Sequence, residues 1–123
     1  MNESILTSIK KLLGIDEEYE HFDVDVIIHI NNALNTLRQL GVGLNKGLSI
    51  SDSGSVWSEL VEDHRLLGPV KDYVYLTVKL IFDPPLGSAT LQAYKEARAE
   101  AEFRIMVTVD EINSEEKEEI QNG

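Results

Sequence analysis

The spacing of apolar residues predicts two helices in the first third of the chain. A short amphipathic helix should span residues 3–13, and Gly14 should stop it. A second helix should run over residues 24–40, with Asp23 as its N-cap and Gly41 at its end. The apolar stripe of the first helix contains Ile5, Ile9, Leu12 and Leu13, and that of the second contains Ile27, Ile30, Ala33, Leu34, Leu37 and Leu40.

Glycine and serine interrupt this pattern over residues 41–56. Four glycines in this stretch favour a long loop, with room for a short strand or β-hairpin around Leu48–Ile50. Loops of this length inside a compact domain are often functional. Residues 57–63, which follow, fit one or two helical turns.

A third helix should span Pro69 to Phe82, because proline suits the first turn of a helix, where its missing N–H would be unpaired. The segment is apolar on nearly every side and rich in β-branched and aromatic residues, so a strand also fits its composition. Its length without alternation favours a buried helix. Asp83, Pro84 and Pro85 then end it, since proline cannot continue the helical hydrogen bonds.

The fourth helix should begin after Ser88 or Thr90 and reach Ile112. At ~1.5 Å per residue it would be about 36 Å long, whereas a compact chain of this size has a radius of gyration of about 14 Å. A small domain cannot bury such a helix alone, so it needs a neighbour. One face of the helix carries Leu91, Tyr94, Ala97, Ala101, Ile105, Val109 and Ile112.

These elements predict an all-α fold. We expect a small helical bundle of three main helices plus a short N-terminal helix, with the glycine- and serine-rich loop before the third helix. Residues 1–112 should form a single domain, and the acidic residues 113–123 should be a disordered tail.

Composition restricts the function. The 123 residues contain no cysteine, which excludes disulfides and thiolate metal sites, and their net charge is −11. Most of that charge lies in residues 1–25 and 95–123, and no basic stripe is present to neutralise phosphates, so conventional DNA recognition is not expected. The N-terminus does not have the order of a secretory signal, and no apolar run reaches the ~20 residues of a membrane span.

We find no pattern of residues that predicts catalysis, metal binding or a cofactor. Glu18 and His21 have helical metal-ligand spacing, but no second pair completes a site. His29 fits a structural role beside isoleucines, and His64 fits a charged surface. The glycines of residues 41–47 lack the preceding strand and following long helix that a phosphate-binding loop requires.

The aromatic residues suggest an interface instead. Trp57, Tyr73, Tyr75 and Phe82 all lie between the loop and the end of the third helix. Packing in the core is one interpretation, and an exposed aromatic strip that contacts another subunit is the other. The candidate interface residues are Trp57, Tyr73, Tyr75, Phe82, Asp83, Pro84 and Pro85.

Three segments together resemble the head-tail connector, or adaptor, family of tailed phages, whose members are also labelled DNA-packaging proteins. These segments are ILTSIKKLLGIDEEYEHFDVDVIIHINNALNTLRQLGVG, VWSELVED and VKDYVYLTVKLIFDPPLGSATLQAYKEARAEAEFRI. A Y-V-Y-L helix that ends in F-D-P-P and precedes a long charged helix is the most specific part. The resemblance covers about residues 3–109.

The resemblance implies a virion subunit without catalysis. It would form a ring, generally dodecameric, that joins the capsid portal protein to the next neck or tail protein and leaves a channel for non-specific DNA passage. Before assembly it would be in the host cytoplasm. A negative channel wall would repel the DNA backbone and let it slide. The alternative class is a small cytoplasmic helical protein, encoded by a phage, that binds and regulates a protein partner.

Overall fold

The computed structural model of the protein describes residues 1–43 and 47–122. This part of the chain is helical, which confirms the predicted all-α bundle of three main helices and a short N-terminal helix. Its elements are α1 (Ile5–Leu12), α2 (Asp23–Gln39), a single 3-10 turn (Trp57–Glu59), α3 (His64–Phe82) and α4 (Ser88–Asn122).

α1 is short because a side-chain cap and a glycine define its two ends. The Ser4 hydroxyl accepts a hydrogen bond from the Thr7 N–H at 3.2 Å and caps the first turn. Gly14 follows the helix with a φ of +78°, a left-handed conformation that glycine adopts readily. Ile5 and Ile9 are fully buried. Leu12 of the predicted stripe is half exposed, so the buried face is narrower than the sequence indicates.

α2 begins one residue earlier than expected, and the predicted N-cap role of Asp23 is wrong. Asp23 is the first residue of the helix, and no side chain caps it. The Asp23 carboxylate lies 2.8 Å from the buried ammonium group of Lys10. That ammonium also donates hydrogen bonds to the carbonyl oxygens of Glu17 and Tyr19. Asp23 therefore forms an ion pair with the buried Lys10, and this pair fixes the turn between α1 and α2.

Residues 47–50, for which the sequence left room for a short strand or β-hairpin, have irregular backbone. Residues 44–46 of the predicted loop lie outside the described residues. Two hydrogen bonds fix Ile50 instead: its N–H donates to Asn31 Oδ1 at 2.8 Å, and its carbonyl accepts from Asn31 Nδ2 at 3.0 Å. A side-chain amide thus takes the place of a neighbouring strand.

α3 begins at His64, five residues before the predicted start at Pro69. The Asp63 carboxylate accepts a hydrogen bond from the Arg65 N–H at 2.9 Å and caps the helix. Pro69 lies inside the helix rather than in its first turn. The sequence prediction gave the proline more weight than the capping aspartate, and this error shortened the helix.

α4 continues to Asn122, so the predicted end at Ile112 is wrong. Residues 113–122, which were expected to belong to a disordered tail, are helical in the structure. Glutamate is the most frequent residue in this segment, and it is a good helix former. Arg65 of α3 also holds it, because its guanidinium donates two hydrogen bonds of 2.8 Å to the Glu115 carboxylate. The domain boundary expected at residue 112 stays a prediction.

Contacts between the helices give their directions. Phe22, just before α2, contacts Phe82 at the end of α3, so these helices run antiparallel. Arg65 at the start of α3 contacts Glu115 late in α4, so this pair is also antiparallel. α2 and α4 therefore run in the same direction, and both pack on α3. The core includes Ile30 and Leu37 of α2, Val70, Val74 and Val78 of α3, and Ala101 and Ile105 of α4.

Candidate assembly surface

Aromatic rings gather where α2 begins and α3 ends. The rings of Phe22 and Phe82 lie 5.3 Å apart in an edge-to-face arrangement, a favourable geometry for aromatic pairs. Tyr19 and His21 extend this cluster along the turn that precedes α2. We call the cluster, together with the turn at residues 83–87, the aromatic end of the bundle.

The turn at residues 83–87 projects a fully exposed leucine. The Lys79 ammonium donates to the Asp83 carboxylate at 2.7 Å, and this hydrogen bond raises the pKa of Lys79. Pro84 and Pro85 follow, and their rings restrict the backbone. Leu86 then has a relative exposure of 104%. A stiff turn that presents one large apolar side chain loses little entropy when a partner covers it.

Other apolar side chains are exposed near the same end. Tyr19 and Val24 are 50% and 70% exposed, and Ile81 is 54% exposed. Single exposed apolar residues are common on protein surfaces. Several at one end of a small bundle, beside Leu86, are typical of an interaction surface.

The candidate interface residues chosen from the sequence lie in three places. Trp57 and Tyr73 are 0% and 1% exposed, so they have no surface to offer a partner. Phe82, Asp83, Pro84 and Pro85 belong to the aromatic end, where Asp83 and Pro84 are exposed. Tyr75 lies in the groove between α3 and α4, and the interface itself remains a prediction.

The buried aromatic residues fasten the helices to each other. The Trp57 indole N–H donates to Ser8 Oγ of α1 at 3.1 Å. The guanidinium of Arg98 lies 5.4 Å from the centre of the Tyr73 ring, which joins α4 to α3 through a cation–π contact. Burial, and after it the neighbouring Tyr94, raises the pKa of the Tyr75 hydroxyl. The contacts of Trp57 and Tyr73 therefore join elements of one chain.

α4 has a second apolar face that the sequence analysis missed. Phe103, Met106 and Val107 are 65%, 48% and 39% exposed. At about 100° per residue, this face lies nearly opposite the one that carries the buried Ala101 and Ile105. The spacing i, i+3, i+4 on a helix that already has one apolar stripe was the available signal.

No group of three or more histidine and acidic side chains that could hold a metal ion occurs in the described ranges, 1–43 and 47–122. Within the same ranges, none of the helices combines the length and apolar character of a membrane span. His29 is partly buried on α2, and His21 belongs to the aromatic end.

Comparison with known proteins identifies one family. The sequence profile of the family described as "Phage connector protein" matches residues 5–112, which is most of the chain. The match begins at the first residue of α1 and ends within α4. No curated protein and no solved structure matches the chain at a significant level.

Proposed function

This chain belongs to the phage connector protein family, and from that premise we propose that it forms a ring at the portal vertex. A phage connector is a structural, non-enzymatic kind of protein, and the family suggests a place in the neck of the virion. In our proposal the ring, a dodecamer, joins the capsid portal protein to the next neck or tail protein. DNA passes through its channel without sequence-specific contacts.

The aromatic end carries this proposal. Leu86 is fully exposed on a turn that two prolines restrict. Phe82, which directly precedes this turn, belongs to the aromatic cluster. Anchors of this kind, held rigid before binding and surrounded by partly apolar surface, suit insertion into a partner's pocket. We assign the portal contact to this end.

The charge of α4 fits passage of DNA. Residues 105–122 contain six acidic residues and one lysine, and the acidic side chains of this segment are exposed. A wall of this sign would repel phosphates and prevent DNA from adhering to the channel. In the assembled ring we expect the second half of α4 to face the channel.

The test combines the purified protein with a phage portal protein. Mass measurement of each protein alone and of the mixture should reveal a ring on the portal. Leu86→Ser should weaken portal binding about tenfold, because a central apolar anchor is lost. Leu12→Ser, at an apolar side chain that is 49% exposed on α1, is the matched control and should bind normally.

A protein that never binds portal at any concentration would contradict the proposal and favour a regulator of some other partner. Equal binding by the Leu86→Ser and Leu12→Ser variants would contradict only the assignment of the aromatic end. Electron microscopy of the complex would show whether the second half of α4 faces the channel.

A further inference from the structure

We infer that the outer face of α4 packs against α2 of a second copy of this chain. The inference rests on the ring proposed above and names its subunit contact. Phe103, Met106 and Val107 form the apolar centre of the outer face. The opposite face of α4 is already buried against α3, and within residues 1–43 and 47–122 these three side chains remain exposed.

α2 has a matching outer face. Val24 and Ile28, four residues apart, are 70% and 52% exposed. At about 100° per residue the same line continues through Asn35 and Arg38, which are also exposed. We call these four residues the outer face of α2. Like the outer face of α4, it has an apolar part and a polar continuation, as subunit interfaces with a polar rim do.

The directions of the helices restrict how two copies can meet. α2 and α4 run in the same direction within one chain, because each is antiparallel to α3. Ring neighbours are related by rotation about the ring axis. If the helices lie roughly along that axis, α4 of one copy stays parallel to α2 of the next.

The charges of the two faces favour the same parallel arrangement. α2 begins with Asp23 and Asp25 and has Arg38 near its end. The first half of α4, residues 88–104, has three basic and three acidic residues, whereas residues 105–122 have six acidic residues and one lysine. Parallel helices place Arg38 beside the acidic half of α4. Antiparallel helices would place the acidic start of α2 there, and like charges would repel.

Lys95 strengthens this preference. It lies on the outer face of α4, about two turns before Phe103, and it is exposed. In the parallel arrangement it faces the start of α2 and the acidic residues 16–20 that precede it. In the antiparallel arrangement it would approach Arg38. Both ends of the proposed contact therefore have opposite charges only when the helices are parallel.

Two different faces on one chain give a head-to-tail contact. Each copy then offers its α4 face to one neighbour and its α2 face to the other. A contact of this kind closes into a ring when the rotation is right. Pairing of two α4 faces across a two-fold axis would instead yield a dimer and leave the α2 faces exposed.

The absence of cysteine in the sequence makes cross-linking a clean test. We would prepare Ile28→Cys, Met106→Cys and the variant that carries both, and oxidise each mildly, alone and with portal protein. We expect linked dimers when the two single variants are mixed. The double variant should give a ladder of linked oligomers, and neither single variant should dimerise alone.

Dimers of Met106→Cys alone would overturn the inference in favour of two-fold pairing. The absence of a ladder, both in the free protein and on portal, would overturn it as well. The proposed portal function fails by a different result, since it predicts binding to portal. A ladder without portal binding would contradict that function alone, and portal binding without a ladder would contradict the subunit contact alone.

Substitutions in the two faces test the proposed α4–α2 contact independently of its geometry. Phe103→Glu should weaken self-association at least about tenfold, because it removes an aromatic side chain from the centre of the contact. Arg38→Glu should weaken it about two- to fivefold, the usual effect of an exposed charge pair. Leu12→Ser, a change at an exposed apolar residue of α1 outside both faces and outside the aromatic end, is the control and should leave the ladder unchanged. Equal ladders from all three variants would contradict the assignment.

Discussion

Trp57 holds the N-terminal helix against the rest of the molecule. Its side chain is fully buried, and its indole N–H donates to Ser8 of α1. Its backbone N–H donates to the Glu3 carbonyl, and the Ile5 N–H donates to the carbonyl of Ser55, so both chain segments are fixed together. The residue with the largest side chain therefore stabilises the subunit from within.

Trp57→Phe should reduce the free energy of unfolding by about 1–3 kcal/mol, since it removes a buried hydrogen bond and leaves a cavity. Chemical denaturation measures this loss. Portal binding and self-association of the folded variant should match those of the natural chain. If Trp57→Phe folds normally but fails to assemble, the interface predicted from the sequence would include this residue after all.

Arg65 links the start of α3 to the late part of α4. Its guanidinium contacts the carboxylates of Asp63 and Glu115 and lowers the pKa of both, that of Asp63 to about 2. Carboxyl groups with lowered pKa values stabilise the folded state above their ordinary pKa values, and this contribution is lost as the pH falls through the lowered ones. The Arg65–Asp63 pair should thus persist at neutral pH and fail between about pH 4 and 2, and the Arg65–Glu115 pair should also be lost on acidification.

We expect Arg65→Ala to free residues 113–122 at neutral pH while the remainder of the bundle stays folded. NMR shifts of the backbone amides in that segment would report the change, and in the natural chain the same shifts should appear on acidification. Arg104→Ala, which removes an exposed pair with Glu100 within α4, is the matched control. Unchanged shifts in Arg65→Ala would show that the helix holds this segment without Arg65.

Two glycines differ in the space that the structure leaves for an added Cβ atom. Gly68 lies inside α3, and an added Cβ would meet nothing within 4 Å. Gly41, after α2, has a φ of +101°, and an added Cβ would lie 2.9 Å from Val109 of α4. At Gly68 the only crowding comes from the ring of Pro69, which disfavours a helical Cβ on the residue before it, whereas Gly41 is required by the close approach of α2 to α4.

Gly68→Ala should change the free energy of unfolding by less than about 1 kcal/mol, because the helix preference of alanine is opposed by crowding of its Cβ against the ring of Pro69. Gly41→Ala should destabilise it by more than that amount, since it adds both strain and a clash. Thermal unfolding of the two variants provides a matched comparison. A greater loss of melting temperature for Gly68→Ala than for Gly41→Ala would contradict the structure at these two positions.

Sequence patterns predicted the helices well and their ends less well. The stripes of α2 and α3 were visible because apolar residues recur every three or four positions. The start of α3 was missed because Gly68 and Pro69 are usually helix breakers, although Asp63 supplied a cap. At the assembly surface, the turn at residues 83–87 could be predicted. For Trp57 and Tyr73 the sequence left core packing and an exposed interface both open, since the choice depends on α1 and α4 packing from distant parts of the chain.

At the scale of the whole molecule, α4 serves both the core and the surface. Its first part contributes Ala101 and Ile105 to the core, and its last ten residues extend beyond the end of the helix predicted from the sequence. The part before Ile112 should therefore be essential for folding. The part of α4 after Ile112 should not be essential for folding.

Two truncations test this division. Removal of residues 113–123 should leave a folded bundle whose melting temperature changes little, since most of those side chains are exposed. Truncation after Asp83 should abolish both cooperative unfolding and assembly, because α3 would lose the helix that covers it. Circular dichroism and thermal unfolding measure both results. A truncated chain that still enters rings without α4 would refute the role assigned to this helix.

The continuity of α4 has a mechanical consequence. The helix spans 35 residues without a proline or glycine, so at ~1.5 Å per residue it is a rod about 52 Å long. Its first residue follows directly on the turn that presents Leu86. If the bundle tilts by about 5° around that turn, the far end of such a rod moves by about 4–5 Å. α4 would thus act as a lever. A small rotation of the aromatic end as it binds the portal protein would displace residue 122 by several ångströms.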